Sequence, residues 1–123
     1  MAQAPPTLKN GSKGDAVKGL QNALNERASL GVAVDGNFGP PTENAVKGFQ
    51  QGASLPVDGI AGPATWGALY VYVVQRGDSL SKIAQQNFGD PNQWTDIYNL
   101  NQAVISDPDK ISPGQVLTLP IYE

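Results

Sequence analysis

The sequence predicts an α+β chain built from two small units joined end to end. A three-helix unit is expected over residues 7–69 and a β-α-α-β unit over residues 70–121, with two antiparallel strands. Three observations predict this. Apolar residues recur at helical spacing in three stretches of the first half. A loop-to-helix pattern occurs twice there, from Val34 to Thr42 and from Val57 to Thr65, at an offset of 23 positions. Two short β-branched runs, Tyr70 to Val74 and Val116 to Leu119, then bracket two further helical stretches.

The elements follow in order. Residues 1–6, with Pro5 and Pro6, form an extended lead-in. Leu8, Gly11, Ser12, Gly14 and Asp15 turn the chain into a first helix, with Asp15 or Ser12 as its cap. Val17, Leu20, Ala23, Leu24 and Ala28 form its apolar stripe, and it should stop before Gly31. After a loop, Pro40-Pro41-Thr42 opens a second helix carrying Ala45, Val46 and Phe49, which ends near Gly52. Gly62-Pro63-Ala64-Thr65 opens a short third helix with Trp66 and Leu69 inward. Tyr70 to Val74 suits a half-buried strand that starts as soon as Leu69 ends the helix. Gly77 lets the chain reverse, and Asp78 is placed to cap a helix bearing Leu80, Ile83, Ala84 and Phe88. Asp90-Pro91 caps the next helix, whose stripe is Trp94, Ile97, Tyr98 and Asn101. Pro113-Gly114 fits the centre of a type II turn leading into the last strand. No Ser/Pro-rich linker separates the units, so a nearly fixed relative orientation with apolar contact across the join is expected.

Composition narrows the chemistry. The 123 residues include no cysteine and no histidine, and the net charge is −3 with no basic cluster, which argues against nucleic acid as a partner. No apolar run is long enough to span a bilayer. Met1 to Pro6 has neither the charged nor the apolar region of a signal peptide. Without imidazole or thiolate there is no metal site of the usual kind, no cofactor is implied, and no Ser-His or Cys-His pair exists. A two-carboxylate glycosidase is formally open, but Asp15, Asp35, Asp58, Asp78 and Asp90 all stand at turns or helix starts, where capping explains them. Ser79-Leu80-Ser81-Lys82 spells S-x-x-K by accident, since the partner motifs S-D-N and K-T-G are missing.

Three separated motifs, YVVQRGDSLSKIA, IYNLN and DKISPGQVLTLP, resemble the LysM family over about residues 70–121. The segments LKNGSKGDAVKGLQNAL, VDGNFGPPTENAVKGFQ and VDGIAGPATWGAL resemble the peptidoglycan-binding type 1 family, a three-helix module, over about residues 7–69. The LysM resemblance implies a shallow groove for N-acetylglucosamine-containing glycans, of the peptidoglycan or chitin type. Mapped by motif, one side is Gly77, Asp78, Ser79 and Leu80, and the other Ile105, Ser106, Asp107, Pro108, Asp109, Lys110 and Ile111. An N-acetyl group needs a backbone donor, a backbone acceptor and an apolar seat. Loop amides near Ser79 and carbonyls near Asp107 to Ile111 suit the first two, and Leu80, Ile105 and Ile111 suit the third, although Leu80 and Ile111 also fit a core. Asp107-Pro108-Asp109 reads more readily as a solvated turn than as a cation site. Trp94, Tyr98, Phe38 and Trp66 read as core. In the first unit the resemblance implies cell-wall binding, with a lesser candidate cleft beside Asp35, Thr42, Asp58 and Trp66.

These readings converge on a non-catalytic, cell-wall-associated binder of peptidoglycan. Two alternatives are a structural part of a phage tail or contractile injection apparatus, with tail or baseplate proteins as partners, and the targeting portion of a wall hydrolase.

Overall fold

A two-stranded antiparallel sheet lies between two apolar cores and belongs to both. The computed structural model describes residues 4–122; the first three residues of the expected lead-in lie outside them. The elements are α1 (Asp15–Ala28), α2 (Pro40–Gly52), α3 (Pro63–Leu69), β1 (Val71–Val73), α4 (Leu80–Phe88), a 3-10 turn (Pro91–Gln93), α5 (Trp94–Leu100) and β2 (Val116–Thr118). In the sheet Val71 pairs with Thr118, Tyr72 with Leu117 and Val73 with Val116.

Successive side chains of a strand point to opposite faces. Val73 and Val116 therefore join Leu20, Leu24, Val46 and Leu69 in the core of the helical unit. Tyr72, Val74, Leu117 and Leu119 face the other way and pack with Ile83, Ala84 and Ile97. The half-buried strand expected from Tyr70 to Val74 is thus a strand covered on both faces. The unbroken apolar run, rather than an alternating one, is the signal of that. Tyr70 is not part of it: it caps α3 in the left-handed region (φ 58°), and the strand begins at Val71.

The two units are tied by polar groups as well. From the last turn of α1, Arg27 donates through Nε to the Leu69 carbonyl (2.8 Å) and through Nη2 to that of Leu119. Burial lowers the pKa of its guanidinium. Asn22, also on α1, donates to the carbonyl of Leu100, to Asn101 and to Thr118. Leu8 exchanges both backbone hydrogen bonds with Ala61, closing the lead-in onto the α2–α3 loop.

Two capping expectations are corrected. The N-cap of α1 is Gly14 rather than Asp15 or Ser12; its φ of 118° suits glycine, and no side chain caps the helix. Ser12 instead accepts from the Lys9 amide. The N-cap of α4 is Ser79, whose hydroxyl accepts from the Lys82 amide, because the Asp78 carboxylate turns back to accept from the Gln75 amide and the Tyr72 hydroxyl. Ala28 is exposed in the last turn of α1 and leaves the stripe that Val17, Leu20, Ala23 and Leu24 form. Asp90 caps the 3-10 turn that leads into α5.

The repeated loop-to-helix corners have one shared physical cause. Gln21 Nε2 donates to Asp35 Oδ1, the Asn37 carbonyl and Thr42 Oγ, while its Oε1 accepts from the amides of Asp35 and Gly36. Gln50 makes the same five bonds to Asp58, Ile60, Thr65, Asp58 and Gly59. Each buried glutamine amide satisfies a corner whose backbone polar groups would otherwise be left without partners.

Candidate functional site

A groove of about 360 Å³ opens between the start of α4 and the loop before β2. Asp78, Ser79, Leu80 and Ser81 line one side, Pro108, Asp109 and Ile111 the other, and Trp94 the remaining wall. The turn of residues 75–78 is closed by its own hydrogen bonds, the Asp78 amide donating to the Gln75 carbonyl at 3.0 Å. Asp78 Oδ2 accepts from the Gln75 amide at 2.8 Å and from the Tyr72 hydroxyl at 2.7 Å. Burial, and then the Asp78 carboxylate, push the Tyr72 hydroxyl up to about 12, so the pair keeps its donor proton through the neutral range. On the facing loop, Asp107 Oδ1 accepts from the Asp109 amide, and the Lys110 amide returns to the Asp107 carbonyl. The site is therefore two hydrogen-bonded turns facing each other, with an indole at the side. That arrangement offers hydroxyls, carboxylates and an apolar surface to a small polar ligand.

Six of the eleven residues singled out for the groove line it: Asp78, Ser79, Leu80, Pro108, Asp109 and Ile111. Five are placed around it instead. Gly77, at φ 86°, makes the turn, and its carbonyl accepts from Lys82 Nζ. Ile105 is 2% exposed and belongs to the core beneath. The Ser106 carbonyl accepts from the Tyr98 hydroxyl, Asp107 caps its own turn, and Lys110 is exposed beside the groove. Leu80, also 2% exposed, serves core and rim at once, whereas Ile111 is half-buried.

Two lining residues were not singled out, Ser81 and Trp94. Trp94 is half-buried: it packs against the second core, as expected, and also lines the groove. It is the first residue of α5, directly after the tighter 3-10 turn, so it stands at the rim while Ile97, one turn on, is fully buried. The Asp90-Pro91 cap, four residues before an aromatic, was the available signal.

The four residues proposed for a cleft in the first unit are divided between different surroundings. Asp35 and Thr42 are held by Gln21, and Asp58 by Gln50. Thr42 is 2% exposed. Trp66 is 3% exposed, and its indole N–H donates to the Pro6 carbonyl. Asp58 lines a depression with Leu55, Pro56 and Ile60, while Trp66 lines another with Pro5 and Tyr70.

The hydrogen bonds at the two aspartates make a prediction. The Asn37 amide, then Gln21, hold the Asp35 carboxyl below the usual range, and the Ile60 amide, then Gln50, do so for Asp58. A depressed folded-state pKa contributes stability that is complete above the unfolded value of about 3.9 and is lost as pH falls through the folded value. The melting temperature is expected to drop as pH falls below about 4, and the doubly substituted Asp35→Asn, Asp58→Asn chain should show a shallower drop. Thermal melts followed by circular dichroism measure it; equal slopes would remove these carboxylates from the acid response.

Comparison with known proteins bears on both units. Residues 13–69 match the family described as "Putative peptidoglycan binding domain", and residues 72–120 match the LysM domain family. A zinc D-Ala-D-Ala carboxypeptidase of Streptomyces albus G is 47% identical over 66 residues, covering 52% of this chain and 26% of the relative. The crystal structure of the SleB N-terminal domain is similar with a TM-score of 0.51 at 37% identity, covering 55% of this chain and 93% of that one. A periplasmic domain of the EpsAB fusion protein of the Vibrio vulnificus type II secretion system gives a TM-score of 0.52 at 25% identity, over 94% of this chain and 45% of that one. The chain spans between about a quarter and just over half the length of the first curated relatives it matches.

Proposed function

We propose that this chain, which matches the peptidoglycan binding domain family over residues 13–69 and the LysM family over residues 72–120, is a non-catalytic binder of bacterial peptidoglycan. N-acetylglucosamine-containing glycan is held in the groove between the start of α4 and the loop before β2. The observation that carries this is the composition of the walls: an indole and the aliphatic Leu80 and Ile111 beside hydroxyls and loop backbone. A pyranose presents C–H faces and a ring of hydroxyls, and its N-acetyl group adds a methyl, a donor and an acceptor, which such walls complement. The sequence has no histidine or cysteine. Asp35, Asp58 and Asp90 accept hydrogen bonds from nearby amides, which supports binding rather than catalysis.

Small sugar units make few contacts, so the single groove should bind weakly and the wall polymer should be retained by repeated engagement. Trp94→Ala is expected to weaken binding of an N-acetylglucosamine tetramer about tenfold and to reduce retention on purified cell walls. Because Trp94 also touches the second core, Ser81→Tyr is the companion variant: Ser81 is exposed, and a ring there fills the groove from outside. Calorimetric titration measures both; tetramer binding unaltered in both variants would remove the groove from the reading. A second reading, that these units direct a wall hydrolase, is favoured by the match to a quarter of a longer carboxypeptidase. Turbidity clearing of cell walls by this chain would set both binding readings aside.

A further inference from the structure

We propose that Asp35 and Asp58 are latent sites of succinimide and isoaspartate formation, held closed by the two buried glutamines of the repeated corners. This is independent of the groove. Three Asx-Gly pairs occur in the chain, Asn10-Gly11, Asp35-Gly36 and Asp58-Gly59. A following glycine leaves the attacking nitrogen without a side chain to hinder it. Asp35 and Asp58 are exposed, so water reaches both carboxyl groups, yet Gly36 and Gly59 are buried. Each glycine amide donates at 3.0 Å to a glutamine Oε1, Gly36 to Gln21 and Gly59 to Gln50. The same glutamines hold the carboxylates through Nε2, at 3.0 Å for Asp35 and 2.9 Å for Asp58. Lysine stems cover the glycines: a Cβ at Gly36 would lie 3.4 Å from Lys18 Cγ, and one at Gly59 would lie 3.0 Å from Lys47 Cε. In Asn10-Gly11 the Gly11 amide donates instead to the Phe38 carbonyl, at 2.8 Å.

The reaction removes one water and returns one. The Gly36 nitrogen bonds to Asp35 Cγ, and its proton leaves with a hydroxyl of the protonated carboxyl as water, closing a five-membered imide. Water then opens the ring. Cleaving the new N–Cγ bond restores aspartate, whereas cleaving the bond between the nitrogen and the main-chain carbonyl carbon leaves the chain running through Cβ and Cγ. The same steps apply to Asp58 and Gly59. Attack requires the nitrogen to give up its bond to glutamine, so the rate scales with the population of the opened corner. An isoaspartate adds one carbon to the backbone, so the five bonds of the glutamine no longer close in register.

The test follows the full chain at about pH 5, where a fraction of each carboxyl is protonated and the acid loss of stability has not begun. Peptide mapping with chromatographic separation of aspartyl and isoaspartyl forms gives the rate at each site, in the native chain and in urea. Native rates at Asp35 and Asp58 are expected about a hundredfold below the unfolded ones, in step with the hydrogen-exchange protection of the Gly36 and Gly59 amides. Gln21→Ala, verified as folded by circular dichroism, should speed the change at Asp35 about tenfold and leave Asp58 within about twofold; Gln50→Ala should do the reverse. Each corner is thus the control for the other within one molecule. Native rates equal to the unfolded ones would overturn the proposal, as would folded variants that leave both rates unaltered or raise both equally. Should a variant lose its fold, the native-against-unfolded comparison of the parent chain decides alone.

Discussion

Gly19→Ala is expected to destabilise the chain by about 3 kcal/mol, against the sign that helix propensity gives. Glycine in a helix interior is worse than alanine by about 1 kcal/mol, so the replacement would ordinarily stabilise. Here an added Cβ would lie 2.4 Å from the Val116 carbonyl oxygen and 2.6 Å from Val116 Cβ. The obstacle is the backbone of β2, which is held in register against β1, so no side-chain rotation relieves it. Either α1 or the sheet must move, and both move away from a core they share. Gly48→Ala in α2 is the matched control: nothing lies within 4 Å of its Cβ position, and about 0.5–1 kcal/mol of added stability is expected. Urea denaturation of the two variants measures both. A Gly19→Ala chain as stable as the parent would mean that the close approach of α1 to β2 is absent in solution.

Asn101→Ala is expected to cost about 3–4 kcal/mol, since it leaves several buried groups unpaired at about 1–3 kcal/mol each. Asn101 is fully buried. Its Nδ2 donates to the carbonyls of Ile97 (2.7 Å) and Thr118 (2.8 Å), and its Oδ1 accepts from the Thr118 amide (2.8 Å) and from Asn22. The side-chain amide thus stands where a third strand would, satisfying the outer edge of β2 in a place water does not reach. Asn101→Asp keeps the size but removes both donated bonds, so it should also be strongly destabilising. Hydrogen exchange at the Thr118 amide reads the local effect and denaturation the global one. A protected Thr118 amide in Asn101→Ala would show that the edge finds another partner. Asn22→Ala removes the link from α1 and should be milder.

Both predictions act on the surface between the units, which has a consequence for dissecting function. A cut between Leu69 and Val71 would expose Val73 and Val116 on one side and Leu20 and Leu24 on the other. Variants of the whole chain, rather than isolated units, are therefore the informative probes of binding.

Much of this was legible in the residues. Helical spacing placed all three early helices and the inward Trp66 and Leu69, because local periodicity is a property of the chain itself. The paired turns at Gly77 and Gly114 were likewise visible as turn chemistry, and both glycines have positive φ. The repeat at Val34 and Val57 was visible too, but its cause was not, since Gln21 and Gln50 lie on the preceding helices. The Asp78 carboxylate was read as a helix cap because capping is judged from neighbours in sequence. Its actual partners include Tyr72, a contact made only when the strand returns beside the turn.

The sequence by itself determined the two modules, their order and the pair of turns that frame the groove, all of which rest on interactions within a few residues. Only the tertiary structure decided that the sheet has two covered faces, that Gly19 is a point of contact, and that Trp94 stands in the groove wall. Those outcomes depend on which surfaces meet, and neither a propensity nor a motif carries the distance between segments a hundred residues apart.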